Sequence, residues 1–190
     1  EEECLEQAER LGFPVVLKVV SPQILHKIDV GGVRLNIEDR EHALKAYREM
    51  MTSIKQKMPE AEIWGVLVQK MIKGGKETIL GLKRDPLFGP VIMFGLGGVY
   101  VEATRDVSFR IAPLRELTAT RMIREIRGYR ILEGFRGEER SDVEKIEECL
   151  KRLSQLALDF PEINELDINP LIVLSQGKGA LVVDARILLS

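Results

Sequence analysis

Cysteine and histidine each occur only twice in 190 residues, and neither sign of charge predominates. Cys4 and Cys149 stand far apart, without CxxC or Cys/His spacing, so neither a disulfide framework nor a zinc site is indicated. A reducing cytoplasm is the expected compartment. With 28 basic and 30 acidic residues dispersed along the chain, the net charge is −2, which leaves no basic stripe for nucleic acid and no polybasic membrane patch. An anionic ligand must therefore be held by a local site. Long apolar runs are also missing, because Lys18 and the glycines and proline around residues 89–98 break the longest of them. None approaches the ~20 residues a membrane-spanning helix needs. The common nucleotide loops are absent too: no GxxxxGK[ST] occurs, and GxGxxG starting at Gly95 would need a glycine where Tyr100 stands.

What is present can build a core, since 45% of the residues are hydrophobic, enough for one domain or two closely packed lobes. Residues 1–11 read as a helix without a Ser, Thr, Asp or Asn cap, ended by Gly12. Residues 14–20 then read as a strand that is apolar and β-branched except for Lys18. A lysine there is either turned to water on an edge strand or buried to meet an anion. The loop that follows, SPQILHKIDVGGV, carries His26 and the pair Gly31-Gly32. It is either a plain turn or a phosphate site in which glycines bring N–H groups to an anion.

Further along, the pattern predicts a helix from Asp39 to Met58, a strand over 64–71, a turn over 72–75 and a strand over 76–84, the last two strands forming a hairpin. Glu77, Lys83 and Arg84 then project from an otherwise apolar strand. A short strand over 91–94, a strand over 107–112 and a helix over 114–126 follow. Ser141 and Glu144 read as a capping box that opens a helix to Asp159. Residues 163–173 and 179–188 read as a strand pair carrying Glu165, Asp167, Asn169 and Asp184. Asn169 and Asp184 are either oxygen ligands for a hard cation such as magnesium or a polar strand face.

The ordered segments GFPVVLK (12–18), LHKIDVGGV (25–33), GVLVQKM (65–71), KETILGLKRDPLFGP (76–90), MFGLGGVYVE (93–102), DVSFRIAPL (106–114) and ELDINPLIV (165–173) together resemble the ATP-grasp part of the NDP-forming acyl-CoA synthetases. These include the beta subunit of ADP-forming acetyl-CoA synthetase and, more distantly, that of succinyl-CoA synthetase. The resemblance implies an α+β ATP-grasp fold that grips nucleotide between two lobes, here 1–64 and 65–190. It also implies a further helix and strand upstream of Glu1.

Position by position, the resemblance implies that Lys18 contacts the nucleotide phosphates and that the Gly31-Gly32 loop covers them. Gln69, Lys70 and Met71 correspond to the hinge that reads adenine through its backbone, and Glu77 to a carboxylate near the ribose. Asn169 and Asp184 correspond to magnesium ligands, and His26 to a second phosphohistidine. Ile28 departs from the small hydroxyl residue often found in that loop. The implied partner is a CoA-binding alpha subunit in a hetero-oligomer, with ATP or ADP as substrate and Mg2+ as cofactor. The implied reaction is acyl-CoA + ADP + phosphate ⇌ carboxylic acid + CoA + ATP. Two other outcomes stay open: an ATP-grasp carboxylate–amine ligase, which needs no histidine, and a non-catalytic regulatory module.

Overall fold

In the computed structural model, which describes residues 1–24, 26–98, 106–134 and 137–190, the chain divides into two compact units, Glu1–Lys73 and Gly74–Ser190. Leu25 and residues 99–102 of the segments that carry the resemblance lie outside the described residues, as do Phe135 and Arg136.

The first unit opens with α1 (Glu2–Leu11), which buries Cys4, Leu5 and Ala8 on one face. Gly12 ends it at φ 75, where its N–H closes onto Ala8 O and Glu9 O. A three-stranded antiparallel sheet follows in the order β2-β1-β3, with β1 Val15–Val20, β2 Val33–Ile37 and β3 Gly65–Lys70. Val15, Leu17 and Val19 share one face of β1 and pack with Ala43, Met50 and Ile54 of α2 (Arg40–Lys57). Leu17 is wholly buried there, so truncating it to Ala costs roughly 2–5 kcal/mol. Asp39 caps α2 as its sequence predicts, its Oδ1 accepting the His42 N–H at 2.7 Å.

Strand β3 moves the expected boundary at 64/65 to 73/74. It pairs with β1 from Val15↔Lys70 to Val20↔Gly65, so its ladder ties it to the first unit. The expected hairpin with residues 76–84 does not form: β3 pairs with β1, and both edges of the strand Lys76–Asp85 are taken, by Gly89–Leu96 and by Ile163–Val173.

The second unit is a six-stranded antiparallel sheet in the order β6-β5-β4-β7-β8, with β9 also on β7. Its strands are β4 Lys76–Asp85, β5 Gly89–Leu96, β6 Val107–Ile111, β7 Ile163–Val173, β8 Ala180–Val182 and β9 Ala185–Leu189. Its helices are α3 Glu116–Glu125, the single turn α4 Tyr129–Leu132, and α5 Val143–Asp159. Leu80, Leu82, Ile92 and Phe94 form the sheet face that packs on Met122, Ile123, Ile146 and Leu150. By strand alternation and register, Glu77, Gly81, Lys83, Met93, Phe109, Glu165 and Asp167 lie on the opposite face.

Two local expectations change here. The cap of α5 is Asp142 rather than Ser141, and its carboxylate also accepts the N–H groups of Gly177 (3.1 Å) and Gly179 (2.9 Å). One acidic side chain thereby ties the helix start to the β7–β8 turn. The strand pair expected over 163–173 and 179–188 is split: β8 pairs with residues 171–173 and β9 with 163–168, leaving Val183 and Asp184 at the break.

Candidate functional site

Within the first unit, Lys18 lies on the middle strand, opposite Val33 on one side and Leu67 on the other, and is 6% exposed. An edge lysine turned to water is therefore excluded. Lys18 shares its face with Val16, away from the α2 core, and Gln69 stands directly opposite Val16. An ammonium held in so little water favours a compensating anion or acceptor.

Lys70 and Met71 use their side chains and backbones differently. The Lys70 ammonium donates to Leu11 O and Gly12 O, both at 3.1 Å, so its charge caps the C-terminus of α1. Met71 donates its N–H to Pro14 O at 3.0 Å. In an antiparallel ladder the adjacent residue points its own N–H and C=O the other way, which puts those of Lys70 on the edge of β3 that no other strand pairs with among the described residues. A purine edge needs one donor and one acceptor side by side, and this backbone offers both.

His26 is exposed near the middle of the β1–β2 loop, which spans residues 21–32. The loop is wound on itself: Asp29 N–H donates to His26 O (3.2 Å), Gly31 N–H to Ile28 O (2.9 Å) and Gly32 N–H to Lys27 O (2.6 Å). The expectation that both glycines offer unobstructed N–H groups to a phosphate does not hold in this conformation. Packing and backbone conformation explain the glycines instead. Gly31 has φ 72, and a Cβ there would lie 2.9 Å from Ser53 Oγ. At Gly32 a Cβ would come within 2.5 Å of Val19 Cγ1 and 3.0 Å of Lys27 O.

Within the second unit, Asn169 and Asp184 are brought together at the break between β8 and β9. The Asn169 N–H donates to Asp184 O at 3.1 Å, and Val183 N–H to Pro170 O at 3.1 Å, so the two backbones are locked in register. Asn169 is exposed and Asp184 partly so. Behind them Asp167 pairs in register with Arg186 on β9. Burial pushes the Asp167 carboxyl up from its ordinary range; Arg186 opposes that, and Asp184 and Glu165 add to it. Sequence reasoning missed Arg186, although the alternation of Asp184 and Arg186 along one strand could have signalled it.

Two oxygen donors, the Asn169 amide on β7 and the Asp184 carboxylate at the break beside it, suit a magnesium ion that takes one or two protein ligands and draws the rest from phosphates and water. No group of three or more His, Cys, Asp or Glu able to hold a metal by itself occurs among the described residues. The donor set thus fits a cation that arrives with a nucleotide.

Glu77 is exposed on β4, and its carbonyl accepts the Gly97 N–H at 2.7 Å. Its side chain lies against Gly98, where a Cβ would sit 2.8 Å from Oε2. The remaining charges of β4 are structural. Arg84 caps the end of α5, donating to Ala157 O (2.8 Å), and Lys83 pairs with Glu165 at 3.0 Å. Near Asp167 the open face holds a cleft of about 370 Å³, lined by Gly81, Lys83, Met93, Phe109 and Arg186. No helix among the described residues is long and apolar enough to cross a membrane.

Residues 1–189 match the family model described as an ATP-grasp domain. The chain is 53% identical over 188 residues to an ADP-forming acetate–CoA ligase I of Archaeoglobus fulgidus, covering 99% of the chain but only 27% of that protein's length. It is 47% identical over 189 residues to the beta subunit of ADP-forming acetate–CoA ligase I of Pyrococcus furiosus, of which it spans 81%. Among solved structures, acetyl-coenzyme A synthetase 1 of Candidatus Korarchaeum cryptofilum superposes at TM-score 0.84 with 48% identity, covering 100% of this chain and 82% of the other. That structure holds coenzyme A and Mg-AMPPCP, with its phosphohistidine segment pointing towards the nucleotide-binding site.

Proposed function

The chain belongs to the ATP-grasp family, and we propose that it is the nucleotide-binding part of an ADP-forming acetate–CoA or related acyl-CoA ligase, working with a CoA-binding alpha subunit or domain in the cytoplasm. The observation that carries this reading is the match over four fifths of a separate beta subunit at 47% identity. The geometry supports it: buried Lys18, the outward backbone of Lys70 at a strand edge, exposed His26, and Asn169 beside Asp184.

The overall reaction is acyl-CoA + ADP + phosphate ⇌ carboxylic acid + CoA + ATP. The part assigned to this chain is the last transfer. A phosphoryl group held on the His26 imidazole passes to a β-phosphate oxygen of ADP; the P–N bond breaks, the new P–O bond forms, and the imidazole is left neutral after proton exchange. Such transfers have a loose transition state with charge spread over the equatorial oxygens, so positioning and neutralisation matter more than covalent chemistry. Lys18 supplies a fixed positive charge to the phosphates. The edge of β3 orients the base, and Glu77 stands near the ribose. Asn169 and Asp184 would hold magnesium, which would supply neutralisation of the phosphate charge.

Calorimetry on the complete beta chain tests the reading. Magnesium-dependent binding of ADP and ATP is expected, and a clean absence of binding contradicts it and leaves a non-catalytic module.

A further inference from the structure

The His26 loop is fastened to the body of the first unit by two side chains of α2. Ser53 Oγ donates to Val30 O at 2.9 Å in a partly buried contact, and Lys57 Nζ donates to Asp29 O at 2.7 Å. Residues four apart on a helix lie one above the other, so Ser53 and Lys57 form a single strip against successive carbonyls of the loop. Ser53 is the inner of the two. Its hydroxyl also fills the space above Gly31, where any Cβ would meet it at 2.9 Å. Lys57 is exposed, and its bond competes with water.

We propose that Ser53 is a positioning residue for phosphoryl transfer, holding the loop through Val30 and Gly31 so that His26 is presented in one conformation. Serine is a poorer helix former than alanine, so its hydroxyl here is not explained by the stability of α2. The turn bonds of Gly31 and Gly32 to Ile28 O and Lys27 O keep the loop wound, but they are internal to it. After His26 the loop is tied to the body by Ser53, Lys57 and the strand bond from Val19 N–H to Gly32 O; before it, Gln23 Oε1 accepts the Glu62 N–H at 3.2 Å and Ile24 is buried in the core. A group that must accept a phosphate and deliver it gains rate from such pre-positioning.

This inference rests on the reading of His26 as the phosphoryl carrier, and the test separates the two. In the complete beta chain with its alpha partner, wild type, Ser53→Ala and Ser53→Thr are compared for amide hydrogen exchange at Gly31 and Gly32, for the rate at which Mg-ATP labels His26, and for ATP affinity. Loss of one hydrogen bond shifts loop opening by about fivefold. Ser53→Ala is expected to exchange about fivefold faster at both glycines and to label His26 several-fold more slowly, with ATP affinity unchanged. Ser53→Thr, which keeps the hydroxyl, is expected to behave as wild type. Unchanged exchange overturns the fastening, and faster exchange with unchanged labelling overturns its role in transfer. Faster exchange with no label on His26 even in wild type overturns the phosphohistidine reading instead, and with it the role of Ser53 in transfer.

Discussion

The backbone N–H of Asn169 donates to the carbonyl of Asp184 at 3.1 Å, so two oxygen-bearing side chains 15 positions apart in sequence are held side by side by a bond that neither side chain makes. The side chains can therefore be changed without undoing the pairing. Asp184→Asn and Asn169→Ala are expected to lower the affinity for Mg-ADP at least tenfold, about the value of one charge-assisted contact, with little change in melting temperature. Calorimetry with magnesium and with a chelator checks this. An affinity that is equally weak in both conditions for the variants, and strong only with magnesium in wild type, is the expected pattern.

Lys18 offers a cleaner separation of binding from stability. Lys18→Met keeps the length and apolar stem of a side chain that is 6% exposed and removes the charge. Nucleotide affinity is expected to fall roughly tenfold to a hundredfold, the value of a hydrogen bond to a charged group. The far-UV spectrum and the cooperativity of unfolding should stay as in wild type.

Asp142 carries the opposite expectation. Its carboxylate caps α5 and accepts the N–H groups of Gly177 and Gly179, and the residue is buried. Asp142→Ala leaves three donors without their acceptor, which is expected to cost about 2–4 kcal/mol in urea unfolding. Nucleotide affinity measured on the folded fraction is expected to change little.

The turn at Asp85 gives a pH dependence. The N–H groups of Phe88 and Leu87 donate to its Oδ1 at 3.0 and 2.8 Å and hold its carboxyl below the usual aspartate range. A folded-state pKa below the unfolded one contributes stability above the unfolded value, about 4, and loses it as the pH falls through the folded value. Asp85→Ala is therefore expected to be less stable than wild type at pH 7, with the difference shrinking below about pH 4. A difference that grows on acidification would contradict the assignment.

Much of this was legible in the residues, and the exceptions have physical causes. The run around Lys18 gave a strand, and Asp39 gave a cap, because each signal is local. The order of segments from GFPVVLK to ELDINPLIV gave the family, which the full-length matches bear out. The hairpin expected between strands 64–71 and 76–84 is absent because a glycine-rich turn at 72–75 says where a chain bends and not which edges are taken; β5 and β7 hold both edges of β4, and β3 pairs with β1. For the Gly31-Gly32 pair a plain turn and a phosphate site both stay open in the sequence, and the packing reasons for glycine there lie in Ser53 and Val19, distant or behind in sequence. Ser141 lost the cap to Asp142 because the carboxylate can also reach two N–H groups of a turn more than thirty residues away, a tertiary contact that no capping pattern encodes.

The most direct test of the central claim is to incubate the complete beta chain, alone and with its alpha partner, with Mg-ATP and map any acid-labile phosphate by intact mass and peptide analysis. The account predicts a phosphate on His26 that passes back to ADP on chase and is absent from His26→Ala, while ATP binding in that variant is retained. Binding of ATP with no phosphate on His26 in either preparation, or a label that survives His26→Ala, would contradict it.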